Sequence, residues 1–203
     1  RFGTMLMAPQ GLDVLFSKDR LEIGKNFMNK LWNASRFIQM NLDEVDTEKI
    51  KLEDLDLDLP EQWIITRLNE TALKVNEELK RFRFNEAAKA IYEFTWSDFC
   101  DWYIEIAKTR FYGSDKQKAK EAQVVCTFVI KGILTLLHPY APFITEEIWS
   151  YFKNDTDKDL IVSPWLKGDR SIQNSESNDS VDLLKQLVTA IRTIRSSMNV
   201  PQD

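Results

Sequence analysis

The chain has 203 residues, of which 43% are hydrophobic and 29% charged, and a formal net charge of −5. On a prior of ~150 residues per domain that is one large domain or one and a half, long enough to bury a core without disulfides or a structural metal. Six Gly, six Pro and a mean hydropathy of −0.36 argue against collagen, low-complexity disorder and membrane spanning. One His and two Cys exclude a site that needs two imidazoles or four thiolates. No signal peptide is visible and no Met opens the chain, whose first residues already read as mid-helix. The expectation is a piece cut from something longer.

Charge is partitioned along the chain. Residues 42–62 hold nine carboxylates against two lysines, and residues 154–182 hold seven acids against three bases. The remainder carries a net +6. A low pI therefore does not exclude a polyanionic partner for the helical parts. The acidic 42–62 segment is expected at the periphery, away from any such partner.

Residues 1–8 read as the end of an amphipathic helix stopped by Pro9 and Gly11, followed by a short extended run at Asp13–Phe16. Ser17 suits an N-cap, with Asp19 and Glu22 in the first turn where the helix dipole favours acids. The helix predicted from there to about Asn41 gathers Leu21, Gly24, Phe27, Met28, Leu31, Trp32, Ala34, Ser35 and Ile38 in an arc of roughly 160°. Lys25, Asn26, Asn29, Lys30, Asn33 and Arg36 take the opposite arc, and Phe37 falls on that polar side.

Pro60 fits the first position of a second helix, whose apolar face of Ile64, Leu68, Ala72, Val75 and Leu79 runs to about Arg81. Asn85 is the expected cap of a third helix ending at Tyr112 before Gly113, with a face of Ala88, Ile91, Thr95, Phe99, Trp102 and Ile106 read as core. Ser114 or Asp115 opens a fourth, which is apolar nearly all round from Val124 to Leu137 and hence central. The 14 uncharged residues Gly132–Thr145 are a buried segment broken by Pro139 and Pro142. Thr145 is the expected cap of a short helix through Phe152, Leu160–Trp165 is expected to be extended, and Asp179 or Ser180 opens a last helix to about Met198. The sum is an all-α helical bundle.

No glycine loop that could cradle phosphate is present. Glu77-Glu78 and Glu146-Glu147 point about 100° apart on their helices, so they read as solvated surface rather than acid/base pairs. His138 reads as a cap or core residue, and Cys100 and Cys126 as buried free thiols.

Asn29-Lys30-Leu31-Trp32-Asn33-Ala34-Ser35-Arg36-Phe37 and Leu136-Leu137-His138-Pro139-Tyr140-Ala141-Pro142-Phe143-Ile144-Thr145-Glu146-Glu147-Ile148-Trp149 resemble landmarks of the anticodon-binding domain of class I aminoacyl-tRNA synthetases for valine, isoleucine and leucine. Trp96-Ser97-Asp98-Phe99-Cys100-Asp101-Trp102-Tyr103 and Ile191-Arg192-Thr193-Ile194-Arg195-Ser196-Ser197-Met198-Asn199-Val200-Pro201 are similar to the valine branch of that group. The stretch 8–14 sits where that family crosses from the stem-contact region into the bundle. The HIGH and KMSKS signatures do not occur here.

The resemblance implies a helical bundle of the anticodon-binding type. Residues 1–17 would be the end of the stem-contact region and a connector, 18–165 the bundle, and 166–203 a polar linker and exit helix. It implies no catalytic residue and no metal or cofactor in this piece, ATP and Mg serving the full-length enzyme. The partner implied is the anticodon loop of valine tRNA isoacceptors, not DNA or a membrane, and the setting a cytoplasmic monomer. It also assigns tRNA binding to Lys25, Asn29, Lys30, Asn33, Arg36 and Phe37. Cations can take phosphates, amides can read splayed bases and Phe37 can stack on one. Lys25 stands where arginine is common, and a lysine offers only a point charge. Two other readings stay open: the equivalent domain with isoleucine specificity, and a non-enzymatic helical scaffold for a protein partner.

Overall fold

The computed structural model describes residues 1–7, 18–42, 50, 52–154, 156–172 and 175–198. Every regular element among them is helical: α1 (Phe2–Met7), α2 (Lys18–Met40), α3 (Leu59–Lys80), α4 (Phe84–Glu93), α5 (Ile104–Phe111), α6 (Lys116–Leu137), α7 (Pro142–Phe152) and α8 (Ser175–Ser197). A π-helical stretch, Phe94–Tyr103, joins α4 to α5 in one rod. The expected Asp13–Phe16 strand, the Ser17 cap, the 8–14 motif, Asn199-Val200-Pro201 and much of the acidic segment lie outside the described residues.

α6 is the central helix. It touches α2, α3, α4, α5 and α7, and it buries Val125, Cys126, Val129, Ile130, Ile133, Leu134 and Leu137. Its N-terminus is fixed by Asp115, whose carboxylate accepts from the Gln117 and Lys118 amides at 3.0 and 3.1 Å, a cap worth ~1 kcal/mol. Trp63, Phe99 and Tyr103 fill the space around it.

The sequence places the expected helices correctly but several of their ends are set by tertiary contacts. The third helix starts at Phe84: Arg83 holds the cap position, while Asn85 donates to Glu86 Oε1 instead. Thr145 is no cap either. Pro142, with φ already suited to a first turn, starts α7 three residues earlier, and the buried Thr145 hydroxyl donates back to Ala141 O at 2.9 Å. His138 closes α6, its Nδ1 2.8 Å from that same hydroxyl. Leu160–Val162 is a 3₁₀ turn, not an extended piece, because Glu146 accepts the Leu160 and Ile161 amides at 2.8 and 3.2 Å. α8 starts at Ser175 rather than at Asp179 or Ser180. Asn178 bonds Glu70 Oε1 at 2.9 Å and Ser177 is buried, so docking on α3 recruits an extra turn.

The π stretch changes which aromatics are core. Its final bond runs from the Ile104 amide to Phe99 O, five residues back, so each turn there holds more than 3.6 residues. Tyr103 and Ala107 are fully buried, while Trp102 and Ile106 reach only half-burial. Cys100 and Cys126 are free and buried, and burial pushes the Cys100 thiol up to about 12.

Residues 163–172 lie along α3. Asn76 donates to Leu166 O and Lys167 O and accepts from Trp165 Nε1 at 2.8 Å; Asn69 brackets Asp169 from both sides. Gly168 makes this fit possible. Its φ is +73°, and a Cβ there would stand 2.9 Å from Leu73 Cγ and 3.1 Å from Leu73 N.

Candidate nucleic-acid interface

α2 is amphipathic by construction. Phe27, Leu31, Ala34, Ser35 and Ile38 are buried, and the next turns of the same helix place Lys25, Asn29, Asn33 and Arg36 in solvent. Spacings of four, four and three residues set those four side chains in one row along the helix. None of the four has an ion-pair partner among the described residues.

Lys30 and Phe37 sit differently. Both are half-buried on the flank that faces the π stretch and α5. Lys30 Nζ is bonded to Asp101 Oδ1 and lies 3.9 Å over the Trp96 ring. Phe37 packs on Phe111 with ring centroids 5.9 Å apart, and Lys108 Nζ stands 5.4 Å from the centre of its ring. The structure thus brings four of the six expected residues onto one open row and anchors the other two against neighbours along its border.

That border is built by residues to which the sequence reading gave no part in the site. Phe2, Phe27, Tyr92 and Trp96 form a ladder of rings from α1 through α2 and α4 to the π stretch, with successive centroids at 4.7, 5.1 and 5.6 Å. The rod beneath Lys30 is thereby fixed relative to α2. Two aspartates of the π stretch then tie it to different helices: Asp101 holds Lys30 of α2, and Asp98 holds Arg67 of α3 and Lys185 of α8. The available signal was Asp98 within a largely aromatic helical run, where an unpaired buried charge is too costly to persist.

The opposite border is set by α7. Trp32 meets Tyr151 edge-on at 6.3 Å, and Leu21 and Met28 face Pro142 and Phe143 across a slot. Of the acidic segment, Asp58 pairs with Arg110 at 2.9 Å and with Lys118 at 3.0 Å, on α5 and α6. No group of three potential metal ligands is found among the described residues.

A family model described as the anticodon-binding domain of tRNA ligase matches residues 61–203, and the chain belongs to that family. Its relatives carry a more particular name. Valine–tRNA ligase of Fusobacterium nucleatum is 42% identical over 98% of the chain, and that of Syntrophotalea carbinolica 41% over 99%. The Bacillus anthracis valine–tRNA ligase is 37% identical over the whole chain. The chain spans less than a quarter of the length of these relatives: 23%, 22% and 23%. A LeuRS from Agrobacterium radiobacter K84, solved in a ternary complex with tRNA and LeuAMS, shares the fold with a TM-score of 0.62 and 16% identity. The match covers 85% of this chain and 19% of that one.

Proposed function

We propose that this chain is the anticodon-binding module of a valine–tRNA ligase, gripping the anticodon loop of valine tRNA through the exposed row of α2. The observation that carries it is the row itself: Lys25, Asn29, Asn33 and Arg36 present two cations and two amides with no ion-pair partner among the described residues, on a helix that packs against the 61–203 region matched by the anticodon-binding family. Arg36 and Lys25 take phosphates of the loop, and Asn29 and Asn33 orient or read unstacked bases. Lys30 keeps Asp101 and turns its remaining N–H groups to the backbone; Phe37 offers its exposed edge to a base. Residues 18–165 do this work, 1–17 lead in from the stem-contact region, and 166–203 lead out.

Attachment of valine, with ATP and Mg, belongs to the full-length enzyme in the cytoplasm, and the chain alone, a monomer, gives no valine-dependent pyrophosphate exchange. The test is filter binding of valine and isoleucine tRNAs across a salt series. Valine tRNA is expected to bind more tightly, and Arg36→Ala to lower the salt slope by about 0.7, the single-strand value for one phosphate. Equal binding of both tRNAs, or a slope unmoved by Arg36→Ala, overturns the reading.

A further inference from the structure

α1 crosses α2 at close range. A Cβ on Gly24 would stand 2.9 Å from Gly3 N, so only glycine lets the two backbones meet here. The crossing closes the floor of a slot of about 360 Å³ between α2 and the start of α7. Its walls are apolar, with Leu21, Met28, Tyr140 and Ile144 among them, and Phe143 stands at its edge.

Phe143 is 92% exposed, the most open large apolar side chain among the described residues, and it follows Pro142 in the first turn of α7. A rigid start to a helix holds the ring out in water, where a free side chain of this kind gains nothing from the fold. The ground on its two sides differs in sign. On the α2 side, the charged residues lining the slot are Arg1 and Lys25, both cations in a chain of net charge −5. On the other side, Phe143 borders a depression carrying Glu146, Glu147 and Asp159 against one cation, Lys153, which pairs with Asp159. A polyanion is drawn to the first side and repelled from the second. Lys25 also begins the row that continues through Asn29, Asn33 and Arg36.

We propose that this slot takes one unstacked nucleobase of the bound RNA. The base stacks on Phe143 and enters between Met28 and Ile144 while Lys25 holds the adjoining phosphate. The proposal rests on the tRNA-binding reading and extends its face past the end of the α2 row to α7. An aromatic ring presents the same stacking surface to every base, so the slot adds affinity and fixes the strand's path more than it reads sequence.

The test uses the chain with a synthetic valine-tRNA anticodon stem-loop carrying 2-aminopurine at one loop position at a time. One position is expected to be quenched on binding. Phe143→Ala is expected to abolish that quenching and weaken binding roughly 5- to 150-fold with the salt slope unchanged. Phe143→Trp is expected to restore both, and Lys25→Gln to lower the slope by about 0.7. Because Phe143 is exposed, none of these changes is expected to move the melting temperature. Parent-like binding by Phe143→Ala, while Arg36→Ala binds weakly, overturns the slot and leaves the α2 face standing; a slot that serves a protein surface gives this result. No binding of the stem-loop by the parent chain overturns the face and the slot together.

Discussion

Lys185 of α8 donates from Nζ to Asp98 Oδ1 at 2.7 Å, across the junction between the last helix and the π stretch. Asp98 is 8% exposed and accepts Arg67 Nε at 3.0 Å through its other oxygen, so a single carboxylate neutralises cations from two helices. Lys185 also lies 4.3 Å from the centre of the Trp63 ring and 5.9 Å from that of Trp102. Removing the carboxylate leaves Lys185 only Asp182, 3.9 Å away and exposed, and leaves Arg67 only Glu70 at 2.6 Å, as ion-pair partners among the described residues. Asp98→Ala is expected to cost about 3 kcal/mol in denaturant unfolding and to speed amide exchange in the first half of α8. Lys185→Met, which keeps the apolar stem over Trp63, is expected to cost much less. Equal losses for the two variants would show that stem packing, not charge pairing, holds α8.

Glu61 is a carboxylate buried in the bundle. It is 2% exposed, neither oxygen has a side-chain hydrogen-bond partner among the described residues, and Arg110 Nε is 3.9 Å away. Burial raises its pKa above the ordinary 4.5, with its own backbone amide, Arg110 and Lys118 opposing the rise and Asp58 adding to it. A carboxyl whose folded value is raised binds its proton more tightly in the native state. Its contribution to stability is therefore complete below the unfolded value and is lost as pH climbs through the folded one. Glu61→Gln is expected to remove that decline and to melt no lower than the parent at pH 7, because Arg110 keeps Asp58 at 2.9 Å. Thermal melts in steps from pH 4 to pH 8 check it; a Glu61→Gln curve parallel to the parent's would assign the pH dependence to other groups.

Phe82 ends α3 in the left-handed region, with φ of 59°. Its amide bonds Leu79 O at 3.0 Å and that of Arg83 bonds Glu78 O at 2.9 Å, the pattern in which glycine is the usual residue. The ring is 67% exposed and meets only Phe84 edge-on at 6.4 Å among described aromatics. Relief of the Cβ clash therefore outweighs the lost contact, and Phe82→Gly is expected to stabilise the chain by about 1 kcal/mol. A destabilised variant would show that the ring is better packed than its exposure indicates.

Helix existence was legible in the sequence because periodicity reports which face is buried: Phe27, Leu31 and Ile38, or Ile64, Leu68 and Ala72, could lie nowhere else. Helix ends were less legible. Thr145 and Asn85 are good caps by type, yet Pro142 and the α3–α4 turn start their helices earlier, and Asn178 reaches α3 to lengthen α8. The row of Lys25, Asn29, Asn33 and Arg36 could be drawn from spacing on one helix. The partners of Lys30 and Phe37 could not, since Asp101 and Phe111 lie about seventy residues away in sequence and reach α2 only through the fold. The π stretch left no periodic trace, and it decided that Tyr103 rather than Trp102 fills the core.

The acidic segment divides by contact. Asp58 is bonded to Arg110 and Lys118, whereas Asp54 and Asp56 have no side-chain ion pair among the described residues. Asp58 is 40% exposed, so solvent screens its pairs and their loss is expected to cost only about 1 kcal/mol. Asp58→Asn should lower the melting temperature slightly. Asp54→Asn with Asp56→Asn should leave it alone, and tRNA affinity should stay level or rise modestly in both variants as negative charge is removed. A marked loss of affinity in the double variant would place this segment in the binding site.

Phe37 is the position at which structure and binding must be separated. Its ring packs on Phe111 and lies under Lys108, so Phe37→Ala removes a core-edge contact as well as a stacking surface. A lowered melting temperature in that variant is therefore expected and decides nothing about RNA. Phe37→Leu is the sharper probe: leucine keeps an apolar group of similar bulk against Phe111 but offers no planar face to a base. If the exposed edge of Phe37 stacks in the complex, Phe37→Leu is expected to retain the parent's melt within a few degrees and to weaken valine tRNA roughly 5- to 150-fold, with the salt slope unchanged. Arg36→Ala should do the converse, lowering the slope and leaving the melt alone, because Arg36 is exposed and has no ion-pair partner among the described residues. Parent-like affinity in Phe37→Leu would make the ring a packing residue alone, and the contact to the loop bases would then fall to Asn29 and Asn33.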